Sequence, residues 1–475
     1  MHKAFVLALA IVALLMPLVC LADEEETEQP EQQQTGTTDH GFIFGSYGRV
    51  QITSDFDGHP GREINVVSHG PRLAEPSYAE VDLGYRLVKD DGPAMKELFT
   101  LALFEPFYHY SGDVEQYLAV RNLYAEARGF IPYISIWAGS RMYRGDDVYL
   151  LDYWPLDNLN TIGGGLGFNN WGVDLKAHLG VNRLDNDYQF QRVKVPNEGF
   201  GSSEMVMLER QRWIYSFRGQ YRLTAIPGPL AMKFVLYSEY HRLPKGERIP
   251  KELIQDEVPD YIPDHIQEKL PEETGYKVGG EIGLDGIPPN GFVNLFVAYS
   301  ADLAAYGEWG VPWGLNTSDK TEGATDLVVA LSGNWESRWV GVMAGAMLRR
   351  FEDADPNEYD IDDYWEGVFA LRPVVYITDY FHQGIELSYQ QHYPFGLDPG
   401  TNSQEIPEIW QISVLELLSW DRGNYARPQF RIVYTYSMLN DAARNRFPKD
   451  DIRRGDSEQH FIGLGVEWWF NSSYR

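Results

Sequence analysis

The chain has 475 residues, a formal net charge of −29 and 14% aromatic residues, 30 of them tyrosine. Such acidity argues against nucleic-acid binding, which calls for a basic stripe. The single cysteine, Cys20, leaves no disulfide framework or cysteine-bound zinc site downstream of it. A mean hydropathy of −0.36 argues against a bundle of membrane-spanning helices.

Residues 1–22 read as a secretory signal. Lys3 supplies the positive start, Ala4 to Leu15 the apolar run, and Cys20-Leu21-Ala22 a small-residue cleavage site before Asp23. A lipid anchor on Cys20 is the minor alternative. Residues 23–40 are acidic, rich in glutamine and poor in apolar side chains, the composition of a disordered periplasmic leader. From residue 41 to 475 no linker divides the chain.

That region alternates. In the final segment Ile462, Leu464, Val466, Trp468 and Phe470 occupy one parity, and Phe461, Gly463, Gly465, Glu467 and Trp469 the other. A period of two gives a strand one apolar face and one polar or small face. Behind a secretory signal, with aromatics at the strand end, this pattern suits a wall between lipid and water. The expected fold is all-β: a transmembrane antiparallel up-and-down β-barrel in the outer membrane of a Gram-negative cell.

Turn signals fall at 89–93, 128–132, 168–170, 226–229, 286–291, 332–335, 378–380 and 419–423. They lie about 40 to 60 residues apart, room for two strands of about ten residues and one long loop. Eight short periplasmic turns imply about eighteen strands and nine external loops, with sixteen strands as the runner-up. Residues 242–274 and the acidic stretch 352–365 read as solvated external loops.

The alternation assigns facing. Phe42, Phe44, Val50 and Ile52 point to lipid, and Tyr47, Arg49 and Gln51 to the lumen. Ala79, Val81, Leu83, Tyr85 and Leu87 point out, leaving Tyr78, Glu80, Asp82 and Arg86 inside. Phe430, Ile432, Tyr434 and Tyr436 point out, and Arg431, Glu467 and Trp469 in. Charges suit an aqueous lumen, but Tyr47, Tyr78 and Trp469 there invite a functional reading. Aromatic faces stack on the apolar faces of sugar rings while Arg and carboxylate groups bond the hydroxyls.

Several blocks together resemble maltoporin, the sugar-specific porin family of Gram-negative outer membranes. Ile136-Trp137-Ala138-Gly139-Ser140-Arg141 leads into Met142-Tyr143-Arg144-Gly145-Asp146-Asp147-Val148. Leu151-Asp152-Tyr153-Trp154-Pro155-Leu156-Asp157 and Gly163-Gly164-Gly165 follow. Gly45-Ser46-Tyr47-Gly48-Arg49, Ser77-Tyr78-Ala79-Glu80, Arg454-Gly455-Asp456-Ser457 and Glu467-Trp468-Trp469 extend the likeness to both ends. The middle, from about Lys176 to Val368, matches only loosely.

The resemblance implies an eighteen-stranded homotrimeric channel with a third external loop folded inward near 144–163. It also implies a helical run of pore aromatics on which sugars slide. Tyr47, Tyr78 and Trp469 fall on such positions. Phe234 aligns with another, although the alternation around Lys233 and Glu239 leaves its facing open. The family's polar track and constriction map to Arg49, Arg72, Glu80, Arg121, Arg144, Asp147, Asp152, Trp154 and Asp157, with Asp157 at the loop tip. Departures accompany these matches. Where the family has a Trp, this chain has Ile377 with Tyr376 beside it. A constriction Arg falls on Gly145, next to Arg144, and the first-loop disulfide is absent. The Trp donated by a neighbouring subunit has no counterpart, with Tyr108, Tyr110 or Tyr117 able to serve.

The function expected from these residues is passive diffusion of maltodextrin-like oligosaccharides, with no chemistry, cofactor or metal. No His-Glu-x-x-His spacing or phosphate loop is present. A general diffusion porin is the close alternative. A secreted carbohydrate hydrolase using two carboxylates among Asp146, Asp147, Asp152 and Asp157 is the distant one.

Overall fold

The computed structural model describes residues 40–473 except 90–91, 105–116, 185–187, 197–201, 225–228, 249–267, 357–359 and 399–400. The expected signal segment and nearly all of the expected leader lie outside the described residues, as do Tyr108 and Tyr110. The side chain of Tyr117 also lies outside them.

Eighteen strands form one antiparallel sheet that closes on itself. The first strand, Gly41–Ser54, pairs with both the second, Tyr78–Val88, and the last, Glu458–Phe470. Every intervening neighbour is the next strand in sequence, so the barrel runs up and down without crossover. Closure satisfies every strand edge, which hydrocarbon demands. Two short hairpins lie outside the wall, Phe190–Pro196 with Ser202–Glu209 and Gly246–Arg248 with Glu268–Leu270.

The parity reading holds. Phe42, Ile52, Ile432 and Leu464 are each about half or more exposed on the outer face, while Tyr47, Glu80 and Glu467 are fully buried within. Among the described residues no second layer covers the last strand, where Leu464 and Phe470 stay exposed. Trp468 lies flat on the outside of the first strand over Gly48, and its indole N–H donates to Ser46 Oγ at 3.0 Å. That contact explains the small outward residues beside Tyr47.

Two turn positions differ from the sequence reading. The strand Asn158–Asn170 runs through 168–170, and the turn is Trp171-Gly172, both with positive φ. The strand Thr325–Glu336 likewise continues through 332–335 and turns at 337–339. Its small polar residues mimic a turn because they face the pore: Asn334 donates to Glu336 at 3.1 Å and accepts from Asn424 at 2.7 Å.

Candidate functional site

The third external loop spans 145–157, between the strands Ile134–Arg144 and Asn158–Asn170. It therefore ends short of Gly163, which lies within a strand. Its tip is a 3-10 turn, Tyr149–Leu151, followed by Asp152 in the left-handed region. Val148, Leu150, Leu151 and Leu156 are buried against the far wall of the barrel. That wall presents Phe296, Val328, Met343, Met347 and Val368, and it is apolar on its inner face as well as its outer one. Burying one such aliphatic side chain contributes about 1.5–3 kcal/mol, so the loop is held by a dry contact across the lumen.

Two glycines make room for it. A Cβ at Gly279 would stand 2.7 Å from Leu156 Cδ2, and one at Gly345 would stand 2.9 Å from Val148 Cγ1. Lys277 Nζ also donates to the Leu156 carbonyl at 2.6 Å. Asp157 sits at the base of the loop and not at its tip: its carbonyl accepts the Gly145 N–H at 3.1 Å.

On the near wall four aromatic side chains step across four adjacent strands. Trp469 stacks on Tyr47, with centroids 6.5 Å apart and planes at 17°. Tyr47 lies 6.1 Å from Tyr78, and Tyr78 lies 5.2 Å from Phe104, edge to face. Trp154 of the third loop packs on this row. Phe104 belongs to it although the sequence reading did not single it out; it is the cross-strand partner of Tyr78.

The structure does not bring Phe234 into the row. Its ring is 39% exposed on the outer face beside Leu236. Lys233 points inward instead and binds Asp146 at 3.0 Å and Glu281 at 2.7 Å. Lys233, Tyr237 and Glu239 share the inward parity, which turns Phe234 outward. Tyr376 does face inward, with Ile377 exposed outside, but it stands apart from the row. It packs edge-on to His382, and its hydroxyl donates to Asn424 at 3.4 Å.

The polar track converges beside the row. Glu467 accepts from Arg72 at 2.9 Å, Arg427 at 2.8 Å and the hydroxyls of Tyr47 and Tyr149, each at 3.2 Å. Arg49 donates to the Tyr47 hydroxyl at 3.0 Å and pairs with Glu75 at 3.1 Å. Asp152 lies 3.9 Å from Arg49. Arg121 donates to the Tyr78 hydroxyl at 3.0 Å, and its Nε lies 3.6 Å from Glu80, which the same hydroxyl also bonds. Arg144 covers the Trp154 ring at 3.8 Å, Arg72 covers Tyr149 at 4.5 Å and Arg427 covers Trp469 at 4.2 Å. Asp147 is half-buried in the third loop. The loop carboxylates engage separate cations: Asp146 faces Lys233 and Arg218, whereas Asp152 faces Arg49.

Three parts of the site lay outside the sequence reading. The first external loop folds inward and adds Glu75 beside Arg72 of the expected polar track. Its His69 stacks 4.1 Å from Tyr153 of the third loop. Burial, with Arg349 nearby, holds the His69 imidazole down at about 4. The turn 420–428, the longest on the short-turn rim, rises into the lumen and places Tyr425 5.2 Å from Tyr149. A second inward cluster gathers Tyr124, Trp137 and Tyr143 around the Arg141 guanidinium. The alternation that placed Tyr78 inward carries the same signal for Tyr124 and Trp137, which are buried on the inner face.

Among solved structures the chain is similar to outer-membrane proteins at low identity. OccAB1 of Acinetobacter baumannii shares 10% identity at a TM-score of 0.45, over 93% of this chain and all of that one. OccD3 (OpdP) of Pseudomonas aeruginosa shares 10% at 0.45, over 90% of this chain and 91% of that one. The trimeric form of OmpT from Vibrio cholerae shares 11% at 0.36, over 91% and 99%. No match was found among curated protein sequences. The sequence model of the LamB porin family matches residues 42–470. A closed barrel with an inward third loop and a match over nearly its whole length place this chain in the LamB porin family, as a diffusion channel of the Gram-negative outer membrane.

Proposed function

We propose that the channel is sugar-selective and passes oligosaccharides of the maltodextrin kind passively, down their gradient. The observation that carries this reading is the row Trp469, Tyr47, Tyr78 and Phe104 lying beside a continuous set of guanidinium, carboxylate and phenol groups. A sugar ring offers an apolar face to an aromatic and equatorial hydroxyls to the charged groups at its edge. Successive rings spaced 5 to 7 Å apart, as here, let a chain of sugars exchange one contact for the next. Weak binding at several adjacent sites is what permits both entry and exit.

The rings of Trp469 and Tyr78 carry the guanidinium groups of Arg427 and Arg49, so a sugar entering the row replaces a guanidinium at each of those two faces. Its hydroxyls then bond the displaced donor. No chemical step is needed. The assembly that accompanies this reading is a homotrimer, visible as a heat-sensitive band of three-fold mass in detergent.

The test is ion current through the purified protein in a planar bilayer. Maltohexaose added to one side should close the current in discrete, concentration-dependent events. Current indifferent to neutral oligosaccharides would make the protein a general diffusion porin.

A further inference from the structure

We infer that Trp309 and Trp313, on the external loop 303–324, form an entrance site for neutral oligosaccharide outside the constriction. The inference rests on the sugar reading and deepens it, because solute meets this subsite before it reaches the aromatic row.

The loop is pinned to two parts of the rim. Glu308 is buried, and its Oε2 accepts the Asn160 N–H at 2.9 Å. That donor is free for it because pairing between the strands Asn158–Asn170 and Val173–Asn182 stops at Ile162 and Val181. The Glu308 carbonyl also accepts from Arg212 at 3.3 Å. On the other side the Tyr306 hydroxyl donates to the Trp313 carbonyl at 2.7 Å, and the Ala354 N–H to the Gly314 carbonyl at 2.8 Å. The Trp313 ring lies 5.1 Å from Tyr306, edge to face, and 5.1 Å from the buried Phe351. Residues 309–312 therefore bridge two fixed points.

The strand beneath gives the height of the site. Phe351 shares the inward parity of Met343 and Met347 in the strand Val340–Glu352. It stands beyond Met347 by about 13 Å toward the external end, at about 3.3 Å per residue. Met347 belongs to the wall that receives the third loop. Trp313 thus sits above that contact, on the entry side of the constriction.

The bridge holds its apolar side chains out in water. Trp309 is 59% exposed, Trp313 43% and Val311, between them, 46%. Apolar groups kept exposed by a fixed backbone mark a recognition surface, and an indole offers a flat face to the apolar side of a pyranose. Because the backbone is already tied down, stacking here costs little ordering of the protein. The adjoining acidic loop meets this one at the Gly314 contact and carries Asp355, Asp360 and Asp362, all partly exposed. Their charge repels anionic occupants such as lipopolysaccharide phosphate, whereas a carboxylate accepts hydrogen bonds from sugar hydroxyls. A neutral sugar is the occupant that fits both features.

The experiment records single channels of the full-length protein in planar bilayers, with maltohexaose added to one side at a time. Wild type gives two association rates, one for each side. Trp313→Ala and, independently, Trp309→Ala each lower one of these about three- to ten-fold, as loss of a stacking contact predicts. The rate from the other side stays unchanged, and the bound lifetime does not shorten, because the row that holds the sugar is intact. Trp309→Phe, which keeps a ring, recovers most of the lost rate. Trp309 is the more exposed of the two, so its variants guard against distortion of the loop by loss of Trp313. Wild-type block with both rates unchanged in both alanine variants overturns the inference and leaves the sugar reading intact, as does an equal fall from the two sides. Unchanged rates accompanied by loss of co-purifying lipopolysaccharide also overturn it, assigning the two indoles to lipid. Wild type that maltohexaose does not block sinks both readings.

Discussion

Tyr47 and Trp469 are cross-strand partners at the seam where the first strand closes on the last, and their rings stack at 6.5 Å. The residue pair that seals the barrel is therefore also the first step of the aromatic row. Removing one ring takes away a stacking surface worth about 0.5–1.5 kcal/mol. Trp469→Ala should raise the half-blocking concentration of maltohexaose about three- to ten-fold, read from single-channel recordings. Tyr47→Phe keeps the ring but deprives Arg49, Arg72 and Glu467 of a shared hydroxyl. It should weaken block less than Tyr47→Ala does.

The third loop owes its position to aliphatic contacts across the lumen. Leu150→Ala and Leu151→Ala each remove a side chain that is 1–2% exposed, and a buried Leu→Ala change costs about 2–5 kcal/mol. Both variants should keep the barrel folded while the loop loosens. The expected signature is a larger and noisier open-channel current. Gly345→Val should produce the same result from the opposite side, because its side chain would occupy the space of Val148.

Outside the membrane span, the acidic loop between the strands ending at Glu352 and beginning at Tyr364 carries a pH dependence. Burial, reinforced by neighbouring carboxylates, pushes the Asp363 carboxyl up to about 7 and Asp353 up to about 6. A carboxyl raised above its unfolded value of 3.8 stabilises the fold only while protonated. That contribution is complete below the unfolded value and is lost as pH rises through about 7. Amide exchange in this loop, corrected for the intrinsic rate, should be slower at about pH 5 than at about pH 8. Asp363→Asn, which keeps an acceptor for the Asp353 N–H, should flatten the difference.

The outer face makes a separate prediction. Leu464 and Ile432 are cross-strand partners, 57% and 49% exposed on the lipid side. Leu464→Arg should cost about 2–4 kcal/mol of folding into a bilayer, measured by denaturant titration in lipid vesicles. Leu464→Phe should be nearly neutral there. Equal costs for the two would place this face in protein, not in hydrocarbon.

Much of this architecture was legible beforehand because side chains in a strand alternate with a fixed period. Parity alone placed Tyr47, Tyr78, Glu80, Arg431, Glu467 and Trp469 inside, and it needed no distant contact to do so. Turn chemistry located five of the eight short turns, with 226–229 lying mostly outside the described residues, and it failed at 332–335 and at 168–170 because polar, pore-facing residues carry the same composition as a turn. Phe234, whose facing the alternation left open, lies on the outer face because Lys233 and Glu239 take the inward parity.

What the sequence by itself determined is the local rule: which face of each strand meets lipid, and hence the barrel and its strand count. Only the tertiary structure decided where the loops go. Arg72, Glu75, Tyr149 and Arg427 lie far apart along the chain and meet at Glu467 through closure of the barrel and burial of the third loop against a far wall that is apolar on both faces. Alternation is silent there, because period two reports facing relative to the sheet. Contacts across the lumen depend on which strands the closed ring sets opposite one another.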